Sequence, residues 1–259
     1  MSTRWGADSE VRGEGSTAMV APMVMAHAAK LEQVSEVAVF GNADVAARAL
    51  RAVQALYDLD AIFTSAVDSV GWALRAVSGS GGVLAEVLAH QRRCERVPPG
   101  VDVDAVAHSP ITIGVVDLVE RMRSLMGGVA DVGVVIPTAQ SLSDSTAGSL
   151  TLDEADAACG AFLRTVGAVA PDVVMRVGVG ERGTVAEGTC AFFGIPLIEA
   201  GEVCTEGVSA PPGGDFVAKA PDGCWLYSSS SELPPDTDAK AIAAAVVRLR
   251  AASVRAGGE

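Results

Sequence analysis

Short Val- and Ile-rich runs that stop at Pro, Gly or a polar residue alternate along this chain with longer stretches of helical periodicity, and this alternation most limits its fold. The clearest part lies in the second half. Residues 131–136, ending at Pro137, and residues 172–179 and 195–198 predict strands. Residues 110–126, 152–169 and 184–193 carry apolar positions at helical spacing and predict helices, the first with Leu118, Met122 and Leu125 on one face. Thr151 with Glu154 three residues later is a capping-box spacing at the start of the second. Unbroken apolar runs suit strands covered on both faces, and parallel strands need helical crossovers between them. The pattern therefore predicts βαβ units around a parallel sheet.

The first half repeats the theme less regularly. A helix is expected over residues 42–57, begun by Asn42 and lined by Val45, Ala49, Val53 and Leu56; a strand over 60–65 and a helix over 68–77 follow. The Gly/Ser stretch 78–82 interrupts, residues 83–96 resume a helical pattern, and Pro98-Pro99-Gly100 stops it. After a Pro/Gly-rich loop at 209–214, a strand is expected over 224–228, and Pro234-Pro235-Asp236-Thr237 opens a last helix over 239–252. Residues 1–17 have no periodicity and read as a flexible lead-in. An eightfold (β/α)8 barrel takes about 250 residues. At 259 residues the expectation is one trimmed barrel over 18–259, with a doubly wound open α/β sheet as the alternative.

Charge and cysteine usage narrow the partners. The formal net charge is −13, which repels phosphate backbones and anionic headgroups, so neither nucleic acid nor a membrane is expected as a partner. No run reaches the roughly 18 apolar residues of a membrane span. The Met-rich stretch 18–29 follows Arg4, Asp8, Glu10 and Glu14 rather than a basic leader, which argues against a secretory signal. Five cysteines (Cys94, Cys159, Cys190, Cys204 and Cys224) form no CxxC pair and read as reduced thiols. A cytoplasmic protein follows, with homo- or hetero-oligomers left open.

In a parallel barrel the carboxyl ends of the strands build the site. That rule selects Ser65 and Asp68 after the 60–65 strand, beside Thr64, and Thr138 and Gln140 after Pro137. Asp68 serves equally well as a helix cap, and Thr138 with Gln140 fits an ordinary turn. Arg176 stands inside an apolar strand and requires an anion, either a carboxylate partner such as Glu199 or a substrate in the barrel mouth. Glu199 doubles as a general acid/base candidate. Gly178-Val179-Gly180-Glu181-Arg182-Gly183 has the spacing of a dinucleotide-binding loop, with Glu199 near the position of the expected acid, yet it does not follow the first strand. Cys190, Cys204, Glu199 and Glu202 lack a histidine at ligand spacing, so no metal and no other cofactor is expected.

Three stretches, in order, resemble the uroporphyrinogen decarboxylase superfamily, which includes the cobalamin-independent methionine synthases. They are Tyr57-Asp58-Leu59-Asp60-Ala61-Ile62-Phe63-Thr64-Ser65; Met122-Arg123-Ser124-Leu125 with Val134-Val135-Ile136-Pro137-Thr138-Ala139-Gln140-Ser141-Leu142; and Leu226-Tyr227-Ser228 through Leu233-Pro234-Pro235-Asp236-Thr237. The similarity runs from about residue 30 to the end and implies an eightfold α/β barrel. The family's zinc-binding His-x-Cys pair is missing, because Ala29, Arg92 and Pro110 stand where Cys would follow His27, His90 and His108. Ser228 to Ser231 stand where a later Cys ligand would fall, which makes Ser229 a candidate for substrate rather than zinc. The resemblance implies a metal-independent lyase (a decarboxylase) or group transferase acting on a small anionic substrate. Arg176 would hold its carboxylate, Asp68 or Glu199 would move a proton, and Ser65, Thr138, Gln140 and Ser229 would orient it. Two alternatives stand beside this one, a zinc-dependent methyl or alkyl transferase and a non-catalytic ligand-binding or partner subunit.

Overall fold

The structure is a computed structural model that describes residues 19–79, 97–98, 100–200, 215–219, 225–229, 233 and 235–256. The chain enters through β1 (Met19–Val20), α1 (Met25–Leu31), α2 (Glu36–Gly41) and α3 (Ala43–Tyr57). Strand β2 (Ala61–Phe63) and helix α4 (Ser69–Val77) follow, then a 3-10 turn over Val103–His108 and α5 (Pro110–Met126). Next come β3 (Asp131–Pro137), α6 (Ala139–Ser145), α7 (Leu152–Gly167), β4 (Val173–Val177), α8 (Val185–Phe193) and β5 (Leu197–Ala200). Strands β6 (Asp215–Lys219) and β7 (Trp225–Ser229) and the helix α9 (Ala239–Ala256) complete it.

Local chemistry sets the helix ends. The Asn42 carboxamide accepts the Asp44 and Val45 N–H groups at the start of α3. Ser109 caps α5 at Thr112, with Pro110 in the first helical position where its missing N–H costs nothing. The expected capping box forms: Thr151 accepts the Glu154 N–H, and the Glu154 carboxylate accepts the Thr151 N–H at 2.8 Å. Gly127 and Gly194, both left-handed, end α5 and α8.

The strands build two sheets, a four-stranded parallel one in the order β2-β3-β4-β5 and a three-stranded one in the order β1-β7-β6. In the second, β1 is parallel and β6 antiparallel to β7. Two observations bring the sheets together. Val20 O accepts the Asp60 N–H at 3.1 Å while the Asp60 carboxylate accepts the Val20 N–H at 3.0 Å, which joins β1 to the start of β2. Strand β5 lies beside β6. Asp172 repeats the Asp60 device one step on, its carboxylate accepting the Val132 N–H at 2.9 Å.

Each strand sends alternate side chains to opposite faces. Ile62, Val132, Val134, Ile136 and Val174 join the helices in the main core. Ala61, Phe63, Val135, Val173, Met175, Val177, Ile198 and Ala200 form a separate buried cluster with Met19, Ala21 and Met23. No helical side chain belongs to that second cluster among the described residues. The tight point on this face is Gly133: a Cβ there would lie 2.6 Å from Phe63 Cε1 and 2.9 Å from Val173 Cγ1.

The chain is thus a mixed α/β protein with a parallel sheet whose strands follow sequence order and whose helices lie on one face. A doubly wound sheet has a reversal of strand order and helices on both faces. The described strands of the four-stranded sheet show no reversal of order. The expected strand at 195–198 is shifted to Leu197–Ala200, because the Ile195 N–H is taken by Cys190 O at the end of α8 and Pro196 has no N–H to give. The helix expected over 83–96 and the lead-in over 1–17 lie outside the described residues.

Candidate functional site

The carboxyl ends of the parallel strands fall into two groups with different chemistry. At β4 and β5, Arg176 and Glu199 are cross-strand neighbours. Arg176 has 1% exposure, and its Nε donates to both Glu199 carboxylate oxygens at 2.9 and 3.1 Å. Nη1 donates to the carbonyls of Arg182 (3.1 Å) and Gly183 (3.0 Å). Nη2 donates to Glu187 on α8 at 2.8 Å and again to Glu199. A guanidinium has five N–H donors, and all are engaged. Arg176 also shares its face with Val174, which packs on the helices, so it turns away from the inner cluster and toward α8. Of the two anions expected for Arg176, a carboxylate partner or a substrate, the structure shows the first. Glu199 is the partner foreseen for it, and it also lies 3.6 Å from Arg182 Nε.

Thr138 and Gln140 stand at the end of β3 as expected, and both are engaged locally. The Thr138 hydroxyl accepts the Ser141 N–H as the cap of α6 and donates to Val179 O at 2.9 Å. Gln140 donates to Asp144 on the same helix, and its backbone N–H bonds Glu181 O. Its side chain occupies the space where Gly180, at φ +81°, would need a Cβ.

The glycine motif 178–183 does precede a helix, but an internal carboxylate already serves that helix. Asp156 on α7 accepts the Thr184 and Val185 N–H groups at 2.7 and 2.9 Å. A Cβ on Gly183 would lie 2.2 Å from Asp156 Cγ, so glycine is required for this approach. The place where a phosphate would sit in a dinucleotide fold is held by Asp156. The nearby thiols of Cys159 and Cys190 are buried and unpaired, and burial pushes them up to about 12 and about 11. Such thiols are poor nucleophiles at neutral pH. Among the described residues no three His, Cys, Asp or Glu side chains converge on a metal-sized site. Cys94, Cys204, Cys224 and Glu202 lie outside the described residues.

The end of β2 is arranged differently. Ser65 replaces a ladder bond with its side chain, donating to Val135 O at 2.9 Å and accepting the Val135 N–H at 2.8 Å. The Thr64 hydroxyl donates to Gly133 O at 3.1 Å. Ser69 accepts the Ala66 N–H, and Asp68 is exposed at the first turn of α4 without capping it through its side chain. Beside these residues opens a pocket of about 30 Å³, lined by Thr64, Ser65, Ser69, Trp72, Phe40 and Gly114 among others. Among the described residues its lining includes no charged side chain. Trp72 packs edge-on against Phe40, ring centroids 5.0 Å apart. The strand-end rule reached Ser65 and Asp68 but missed Trp72, Phe40 and Gly114, which helices supply.

Ser229 closes β7 opposite Asp215, and its neighbour Ser228 donates to Ala21 O at 2.7 Å. A buried pair that sequence reasoning passed over is His27 with Tyr57, whose Nε2 and hydroxyl lie 2.8 Å apart. No family model and no curated protein matches this sequence.

Proposed function

We propose that this chain is a trimmed α/β barrel of the uroporphyrinogen decarboxylase type that acts as a binding module, taking a small neutral group at the carboxyl end of β2. Sequential strand order, a second buried cluster with no helical side chain among the described residues and the nearness of β5 to β6 support one closed wall over two sheets. The observation that carries the functional reading is the pairing state of Arg176. The cation best suited to clamp a substrate carboxylate has all its donors consumed internally. The β2 pocket, by contrast, is mainly apolar, and its hydroxyls Thr64, Ser65 and Ser69 keep acceptor lone pairs that a small uncharged donor group could use. At about 30 Å³ it has room for the tip of a ligand rather than for a tetrapyrrole.

One observation favours the lyase reading as second. Asp68 stands exposed at the same strand end, where a carboxylate could exchange a proton with a substrate seated there. A matched pair of probes separates the readings: propionamide and propionate, each assayed by thermal shift and by tryptophan emission. The binding reading expects propionamide to raise the melting temperature at least as much as propionate. Stabilisation by propionate alone would favour the anionic-substrate lyase. The zinc-transferase reading requires about one zinc per chain in elemental analysis.

A further inference from the structure

One part of the wall of the β2 pocket is built differently from the rest. Thr64, Ser65, Ser69 and Trp72 reach the pocket from β2 and α4, and Gly114 and Leu118 from α5. Those elements are rooted in fully buried side chains such as Ile62, Val70, Leu74 and Val119. Val39, Phe40 and Gly41, by contrast, are the last three residues of α2. This helix has six residues and one buried side chain, Val39. A helix of that length does not sustain itself in water, because too few hydrogen bonds follow its costly first turn. Its shape therefore rests on the packing of Val39 and Phe40. The next helix, α3, is fixed by Ala46, Ala49, Leu50 and Val53 in the main core.

Both ends of α2 are breaks in the helical path. Upstream, Gln33 at φ +55° turns the chain out of α1, and the Val34 N–H on Ala29 O at 3.0 Å closes that turn. Downstream, Asn42 is extended, with φ −142° and ψ 109°. Its carboxamide accepts the Asp44 and Val45 N–H groups, so Asn42 is committed to α3 and not to α2. Across the pocket, Phe40 meets Trp72 edge-on, ring centroids 5.0 Å apart, and Trp72 is only 5% exposed. An edge-to-face pair is specific in geometry but modest in strength. Withdrawing Phe40 would open the pocket and bare the indole in one movement.

We propose that α2 is a hinged lid that swings on residues 33–35 and 41–42 and admits a ligand to the β2 pocket by parting Phe40 from Trp72. The lid rests on the binding reading of that pocket only for what it admits. Val37 provides the test, because it is exposed on α2 and is not a pocket residue. Alanine there favours the helix and glycine disfavours it, by about fivefold between the two. On the full chain, hydrogen exchange of the α2 amides should therefore run about fivefold faster in Val37→Gly than in Val37→Ala, with α3 unchanged. Labelling of Trp72 by 2-hydroxy-5-nitrobenzyl bromide, read by peptide mass spectrometry, should rise by the same factor. Should Val37→Gly not fold, Val37→Ala against the wild type gives the same comparison, with both rates slowed by about threefold. Faster α2 exchange without faster Trp72 labelling would mean a fraying helix and no lid. Equal rates in the variants, or α2 and α3 opening together, would overturn the lid as well. Propionamide should slow both readouts in the wild type. Propionamide that binds by thermal shift yet changes neither rate would also overturn the lid. Propionamide that does not bind strikes the binding reading alone, and the Val37 variants still decide the lid.

Discussion

The two groups of strand ends differ in where their polar groups are spent. At β4 and β5, Glu199, Glu187 and the loop carbonyls engage Arg176, and one oxygen of Asp156 accepts two N–H groups at the start of α8, tying two strands, the 178–183 loop and α8 into one unit. At β2, Ser65 and Thr64 are used only to continue the ladder to β3, and an apolar pocket remains beside them. A charged residue in a strand is therefore a poor marker of a site until its donors are counted. Hydroxyls that merely extend a ladder can leave a site open next to them.

The sharpest way to break this comparison is Arg176→Met. Removing one partner of a buried ion pair costs roughly 3–5 kcal/mol, and the carbonyls of Arg182 and Gly183 would lose their donor as well. Urea unfolding should report a loss of that size; an unchanged midpoint would show that Arg176 is not a structural tie. Asp156→Ala removes the acceptor for two N–H groups at the start of α8 and should cost about 1–2 kcal/mol in the same assay.

Alkali probes the same region more gently. Cys159 and Cys190 stay neutral in the fold, whereas an unfolded thiol ionises near its ordinary value of 9.0. A group whose folded pKa is raised keeps its contribution below the unfolded value and loses it above. Stability should therefore fall as pH rises past about 9, and both thiols should resist alkylation at pH 8 in the folded protein, read by peptide mass spectrometry. At the end of β3 the expected effect is smallest. Thr138→Val removes the hydroxyl that caps α6 and donates to Val179 O, and should cost about 1 kcal/mol in urea unfolding.

Much of the architecture was legible because burial on both faces leaves unbroken apolar runs, as in Val132 to Ile136, and because caps such as Asn42 and Thr151 declare helix starts. The short polar helix α6 was not, since Leu142 is nearly its sole apolar residue. For the site, Arg176 and Glu199 were legible as a pair, but their direction was not. Period-two alternation says that Arg176 sides with Val174; only the packing of Val174 on helices says which side that is. Two acids near it in sequence, Glu187 and Glu199, were the available hint that its charge is met internally. His27 escaped notice because a lone histidine in a Met-rich run has no spacing partner, its partner Tyr57 being supplied by the fold.

The central claim, that binding belongs to the β2 end and not to the β4–β5 end, is tested most directly by comparing Gly114→Leu with Glu199→Gln for propionamide binding. Gly114 lines the pocket, and a Cβ built on it meets no atom within 4 Å, so a side chain can start there without a clash at Cβ. Gly114→Leu should fold and lose the thermal shift, while Glu199→Gln should melt lower yet keep it. Binding retained in Gly114→Leu and lost in Glu199→Gln would contradict the account.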